Sequence, residues 1–93
     1  MQIFNQVELF KNLADETRLS IVKQLNQSDC EVAGRDIIPK CSDELQLSQP
    51  TMSHHFCKLV RAGILLENKV GTEKFYRLNR PLLTACGINL EAL

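Results

Sequence analysis

Gln46-Leu47-Ser48-Gln49-Pro50-Thr51-Met52-Ser53-His54-His55-Phe56-Cys57-Lys58-Leu59-Val60-Arg61-Ala62-Gly63 is the stretch on which the reading of this chain turns. Ser48 has the short hydroxyl that accepts a hydrogen bond from a helix's first free amides. Pro50 suits a first turn, where its missing N–H costs nothing. On a wheel at helical spacing, Met52, Phe56, Leu59, Val60 and Gly63 fall within one arc of about 80°. His54, Cys57, Lys58 and Arg61 fall on the far side. The stretch therefore predicts a helix that rests on a narrow apolar stripe, turns a polar and basic face outward, and stops at Gly63.

Beyond Gly63 the period changes. Ile64 to Val70 and Glu73 to Leu78 are short runs of branched, aromatic and long side chains joined through Gly71-Thr72, which predicts a hairpin over about 64–78. A last helix is expected from Pro81, over about 81–92, with Leu82, Leu83, Cys86, Leu90 and Leu93 on one side and Gly87 weakening it. Upstream, Pro39 fits the first turn of a short helix ending near Leu45. The polar run Ser28-Asp29-Cys30-Glu31-Val32-Ala33-Gly34 reads as a loop. Asp15 is the expected cap of a helix whose Ile21, Val22 and Leu25 share a face. Residues 3–13 place Ile3, Val7, Leu9, Phe10 and Leu13 on a broad arc, and Phe4 widens it beyond the needs of one core. A terminal helix with so much apolar surface is expected to meet a second subunit.

Ninety-three residues make one domain with a modest core. No apolar run reaches the roughly 18–20 residues that span a bilayer. The opening Met1-Gln2-Ile3-Phe4-Asn5 lacks the features of a secretory signal. A cytoplasmic location with reduced thiols is the expectation, since Cys30, Cys41, Cys57 and Cys86 form no CxxC or CxC pair. Net charge is zero, but its distribution is uneven. Residues 1–47 hold five basic and eight acidic side chains, net −3; residues 48–93 hold six and three, net +3. A neutral chain with one basic half can still present a face to phosphates.

Only Gln46-Leu47-Ser48 separates the third and fourth predicted helices, which is helix-turn-helix spacing over about 38–62, and the hairpin behind it would be a wing. Phe10-Lys11-Asn12-Leu13-Ala14-Asp15-Glu16-Thr17-Arg18-Leu19 resembles the opening signature of the ArsR/SmtB family of winged-helix repressors. Leu47-Ser48-Gln49-Pro50-Thr51-Met52-Ser53-His54-His55-Phe56 resembles its second block, followed by Leu59, Ala62-Gly63 and Phe75-Tyr76-Arg77-Leu78. The resemblance implies a mainly α fold with a small β-hairpin, ordered α-α-α-α-β-β-α. It also implies a homodimer joined through its first and last helices, with Ile3, Phe4, Val7, Phe10, Leu82, Leu83 and Leu90 at the interface.

The expected ligand is double-stranded DNA, an imperfect palindrome whose half-sites lie one helical turn apart. A major groove admits one helix, and short polar side chains read base edges there. Gln49, Thr51, Ser53 and His54 supply that inventory, and Ser48 with its helix start can hold a phosphate. Lys58 and Arg61 suit the backbone. Lys69, Thr72, Lys74 and Tyr76 suit it from the wing, although Tyr76 also reads as a strand residue that packs the wing. His55, at the edge of the apolar arc, is expected to be packed and hydrogen-bonded. Neighbouring histidines on a helix point about 100° apart and make a poor metal site. Metal sensors of the family often carry a CxC in the third helix or paired Asp/His in the last. Here the third helix reads Ile37-Ile38-Pro39-Lys40 and the last has neither His nor Asp, so no metal and no cofactor is expected. No glycine-rich phosphate loop or nucleophile–base pattern points to an enzyme. The expected function is a sequence-specific repressor released by an unidentified inducer. Two alternatives stand beside it: a repressor that senses oxidants or thiophilic metals through Cys41, Cys57 and Cys86, and a winged helix used only for protein contacts.

Overall fold

The computed structural model describes residues 5–93, so Ile3 and Phe4 of the expected dimer surface lie outside the described residues. Helix α1 (Gln6–Leu13) starts at Asn5, whose side chain accepts from the Glu8 amide, and α2 (Glu16–Asn26) starts at Asp15, which accepts from the Arg18 amide at 2.9 Å. A two-residue strand β1 (Val32–Ala33) leads directly into α3 (Gly34–Leu45). After a tight turn, α4 (Gln49–Arg61) precedes the hairpin β2 (Leu65–Val70) and β3 (Glu73–Leu78), then α5 (Arg80–Ala85) and a short 3₁₀ turn at Leu90–Ala92. The expected mainly helical fold with a small hairpin is present.

Three expectations need correcting. Residues 28–34 are not all loop, because Val32 and Ala33 pair antiparallel with Tyr76 and Phe75. The sheet is therefore three-stranded in the order β1-β3-β2. A two-residue strand shows no alternation, and its partner lies more than forty residues away, so local pattern could not reveal it. Helix α3 begins at Gly34, not near Pro39, which sits inside it. Its cap, Ala33, makes no side-chain bond, so the usual start signal is missing. Pro39 leaves the Arg35 carbonyl without its helical N–H.

Third, the last helix does not continue over 81–92. Gly87 (φ 84°) stops α5: its N–H reaches the Thr84 carbonyl, and that of Ile88 reaches Leu83. This is the Schellman arrangement, with glycine taking the left-handed conformation that a β-carbon disfavours. The same pair of bonds, Gly63 to Val60 and Ile64 to Leu59, ends α4 where expected.

The core is built from the apolar faces of α2, α4 and the sheet. Ile21, Val22, Met52, Phe56, Leu59, Ile64 and Leu83 are fully buried, joined by Leu9 from α1. Because β3 is the central strand, its alternate residues Tyr76 and Leu78 point inward. The Tyr76 ring meets Phe56 edge-on, with centroids 5.1 Å apart. That aromatic pair fixes the wing to α4.

Candidate nucleic-acid interface

The turn between α3 and α4 is held by Ser42. Its carbonyl accepts the N–H groups of both Gln46 and Leu47, and its buried hydroxyl donates to the Leu47 carbonyl. Gln46 takes the left-handed conformation (φ 55°, ψ 44°) without being glycine. That is a small strain, offset by the two bonds to Ser42. Nothing in the sequence singled out Ser42. A serine in the third helix reads as ordinary surface until the turn brings Leu47 over it.

Ser48 then caps α4. Its Oγ accepts from the Thr51 amide at 3.3 Å and donates to Thr51 Oγ1 at 2.9 Å. Pro50 lies in the first turn, as expected. Met52, Phe56 and Leu59 are completely buried, so the opposite face of α4 is fixed outward: Gln49, Thr51, Ser53, His54, Cys57, Lys58 and Arg61 are all exposed. A groove of about 680 Å³ runs between this helix and the wing, and it brings together Gln49, Ser53, Cys57 and Arg61 with Thr72 and Lys74. Lys69 is exposed on β2, directly opposite Lys74 in the hairpin register.

Tyr76 borders the same groove but is buried. It is 5% exposed, so its expected place among the surface contacts is corrected in favour of the packing role. Two wing and turn cations are already occupied. Lys74 lies 3.1 Å from Glu67, whose hydrogen bond and charge raise the lysine's pKa, and Arg35 at the start of α3 pairs with Glu73.

His55 is half-buried and bonded, as the wheel implied. Its Nδ1 lies 3.2 Å from Arg18 Nη1. A guanidinium only donates, so Nδ1 is the acceptor and the neutral ring carries its proton on Nε2. Burial holds the imidazole's pKa below its ordinary value, opposed by the nearby Asp15 charge. Arg18 also donates through Nε to the Asn12 carbonyl and pairs with Asp15 at 3.8 Å. This cluster ties α4 to the α1–α2 corner. The Arg18 amide, and secondarily its charge, lowers the Asp15 pKa.

Of the residues expected at a dimer surface, Val7 and Phe10 are 62% and 48% exposed, large apolar groups that this chain's own core leaves uncovered. Leu90 is half-buried. Leu82 and Leu83, at 7% and 0% exposed, belong to the core instead, because the short α5 packs inward before Gly87 turns the chain.

The cysteines divide in the same way. Cys41 is buried, and desolvation pushes its thiol up to about 11, far from a reactive thiolate. Cys86 is half-buried at the end of α5, whereas Cys57 is exposed on α4. Among the described residues, no group of three or more His, Cys, Asp or Glu could hold a metal ion, and no helix is long and apolar enough to cross a membrane.

Residues 15–66 match the family model described as bacterial regulatory protein, arsR family. An HTH-type transcriptional regulator of Methanocaldococcus jannaschii is 44% identical over 69 residues, covering 74% of this chain and 72% of that protein. The arsenical resistance operon repressor of Escherichia coli is 38% identical over 79 residues, covering 85% of this chain but only 63% of the repressor's length. Among solved structures, HlyU from Vibrio cholerae superposes with a TM-score of 0.65 at 30% identity, covering 88% of this chain and 84% of that one. The transcriptional repressor PagR of Bacillus anthracis gives 0.64 at 31%, covering 86% and 85%. A homodimeric winged helix-turn-helix DNA-binding domain from Mycobacterium bovis gives 0.68 at 23%, covering 87% and 70%, and speaks to the fold alone. With the capped outward helix, the hairpin wing in its three-stranded sheet and these likenesses together, the chain belongs to the ArsR family of winged helix-turn-helix, DNA-binding transcriptional regulators.

Proposed function

We propose that the chain acts as a homodimeric repressor that occupies an imperfect palindromic operator in double-stranded DNA and is released by an inducer. The observation that carries this reading is the outward face of α4. Met52, Phe56 and Leu59 lock its back into the core, leaving an amide, hydroxyls and an imidazole for base edges. Gln49, Thr51, Ser53 and His54 read the major groove. Ser48, Lys58 and Arg61, with Lys69, Thr72 and Lys74 from the wing, meet the backbone. Lys69 and Lys74 face each other in register, and Glu67 already balances Lys74, so among the described residues Lys69 is the free charge this end of the wing offers a phosphate.

The uncovered Val7 and Phe10 support dimerisation through α1, with Leu90 beside the end of the chain. Two-fold symmetry then spaces two α4 helices for half-sites about 34–36 Å apart. Repression is supported by the repressors among its relatives. A regulator of this kind works in the cytoplasm, where its DNA is.

The test is selection of bound duplexes from a random pool, followed by affinity measurements across salt. An inverted repeat with half-sites about ten base pairs apart, and affinity falling steeply with salt, is expected. Enrichment of no sequence, together with weak and salt-insensitive binding, would sink the proposal and favour a protein-contact role.

A further inference from the structure

On the side of α4 away from the wing lies a second cleft, of about 460 Å³, between that helix and the α1–α2 corner. Its cations are Lys11 from α1, Arg18 from α2, and Lys58 and Arg61 from the last turn of α4; Glu8 is its one carboxylate. Arg18 is 13% exposed and spent on Asp15, Asn12 and His55. Lys11, Lys58 and Arg61 are exposed, and among the described residues none has a carboxylate within ion-pair distance. Residues 1–4 carry no acidic side chain that could supply one. On the wing side Arg35 and Lys74 are already paired, and Lys69 is left without a carboxylate among the described residues.

Two helix C-terminal ends face this corner and contribute about half a negative charge each. Three free cations against Glu8 and those two ends leave close to one uncompensated positive charge. A phosphodiester carries one negative charge. Resting on the DNA-binding reading, we infer that this cleft is a phosphate site, taking a backbone phosphodiester on the flank of the groove opposite the wing, with Lys11 as its principal unassigned ligand. Arg61, in the last turn of α4, borders both this cleft and the wing groove. A helix seated in a major groove has a phosphate backbone on each flank. On this chain three cations without a carboxylate partner among the described residues line the α1 flank.

The test uses the full chain, a selected operator duplex and a random duplex of equal length. Lys11→Gln is expected to weaken binding to both by a similar factor, about threefold to tenfold at ~0.1 M salt. It should also lower the slope of log affinity against log salt by about 0.9 per protomer. Lys11→Arg should restore both, and sedimentation should show the same oligomer for all three proteins. Steep, selective binding by the parent with an unchanged slope in Lys11→Gln overturns the cleft while leaving the function intact. Absence of selective binding by the parent overturns the function itself. A second arm titrates inorganic phosphate against the labelled protein. Shifts at residues 11, 58 and 61 that vanish in Lys11→Gln, with the DNA slope unchanged, overturn the assignment to DNA and leave a free phosphate group as the occupant.

Discussion

Ser48 offers a way to separate the folding of α4 from its use, because one side chain serves both. Its Oγ satisfies the Thr51 amide over a long, exposed 3.3 Å bond. Ser48→Ala is therefore expected to cost the lower part of the usual cap range, about 0.5–1 kcal/mol. In a domain of this size that corresponds to a Tm lower by about 2–8 °C at fixed protein concentration. Ser48→Asp keeps an acceptor of equal capping rank and places a charge that favours the helix N-terminus by about 0.3–1 kcal/mol. Its Tm should match the parent's or exceed it by a few degrees. The same carboxylate would stand where DNA is to lie, so duplex affinity should fall tenfold or more, about 1.4 kcal/mol, for selected and random sequences alike. Circular-dichroism melts and fluorescence anisotropy with a labelled duplex read the two effects independently. The reasoning fails at the cap if Ser48→Asp melts as low as Ser48→Ala. It fails at the interface if Ser48→Asp binds DNA as well as the parent.

Phe10→Glu places a charge on the open face of α1, so sedimentation should show loss of the dimer with retained helicity, and a matching loss of operator affinity; an intact dimer would move the interface elsewhere. Tyr76→Phe should change stability by no more than about 0.5 kcal/mol and leave DNA affinity unaltered, whereas Tyr76→Ala should cost about 3–5 kcal/mol in urea titrations. A large binding defect in Tyr76→Phe would restore the tyrosine to the DNA surface. Because the folded pKa of His55 lies below its ordinary value, the unfolded chain takes up that proton first. The associated stability is present above about pH 6.5 and lost as pH falls through the folded value; His55→Gln should flatten the urea-measured slope between pH 5 and 7, and an unchanged slope would refute the burial of a neutral imidazole at this position. Under native conditions at pH 7.5, the exposed Cys30 and Cys57 should react with a disulfide reagent far faster than Cys41, whose burial bars the reagent and whose raised pKa leaves roughly two orders of magnitude less thiolate than an ordinary thiol carries; equal rates would mean the core opens there.

Much of this molecule was legible in local chemistry. Asp15, Ser48, Pro50 and Gly63 mark helix ends by the hydrogen bonds their own side chains or conformations permit, and all four act where they stand. The apolar stripe of α4 sets by spacing alone which side turns outward, so its exposed candidates could be named in advance. Pairings between distant segments were not legible. Strand β1, the early start of α3 over a capless Ala33, and the grip of Ser42 on Leu47 exist only because another part of the chain arrives to accept or donate a bond. Tyr76, Leu82 and Leu83 are apolar enough for either a core or an interface, and composition cannot choose between those. The choice falls to tertiary packing, because burial depends on which surfaces remain once all the helices and the sheet have met.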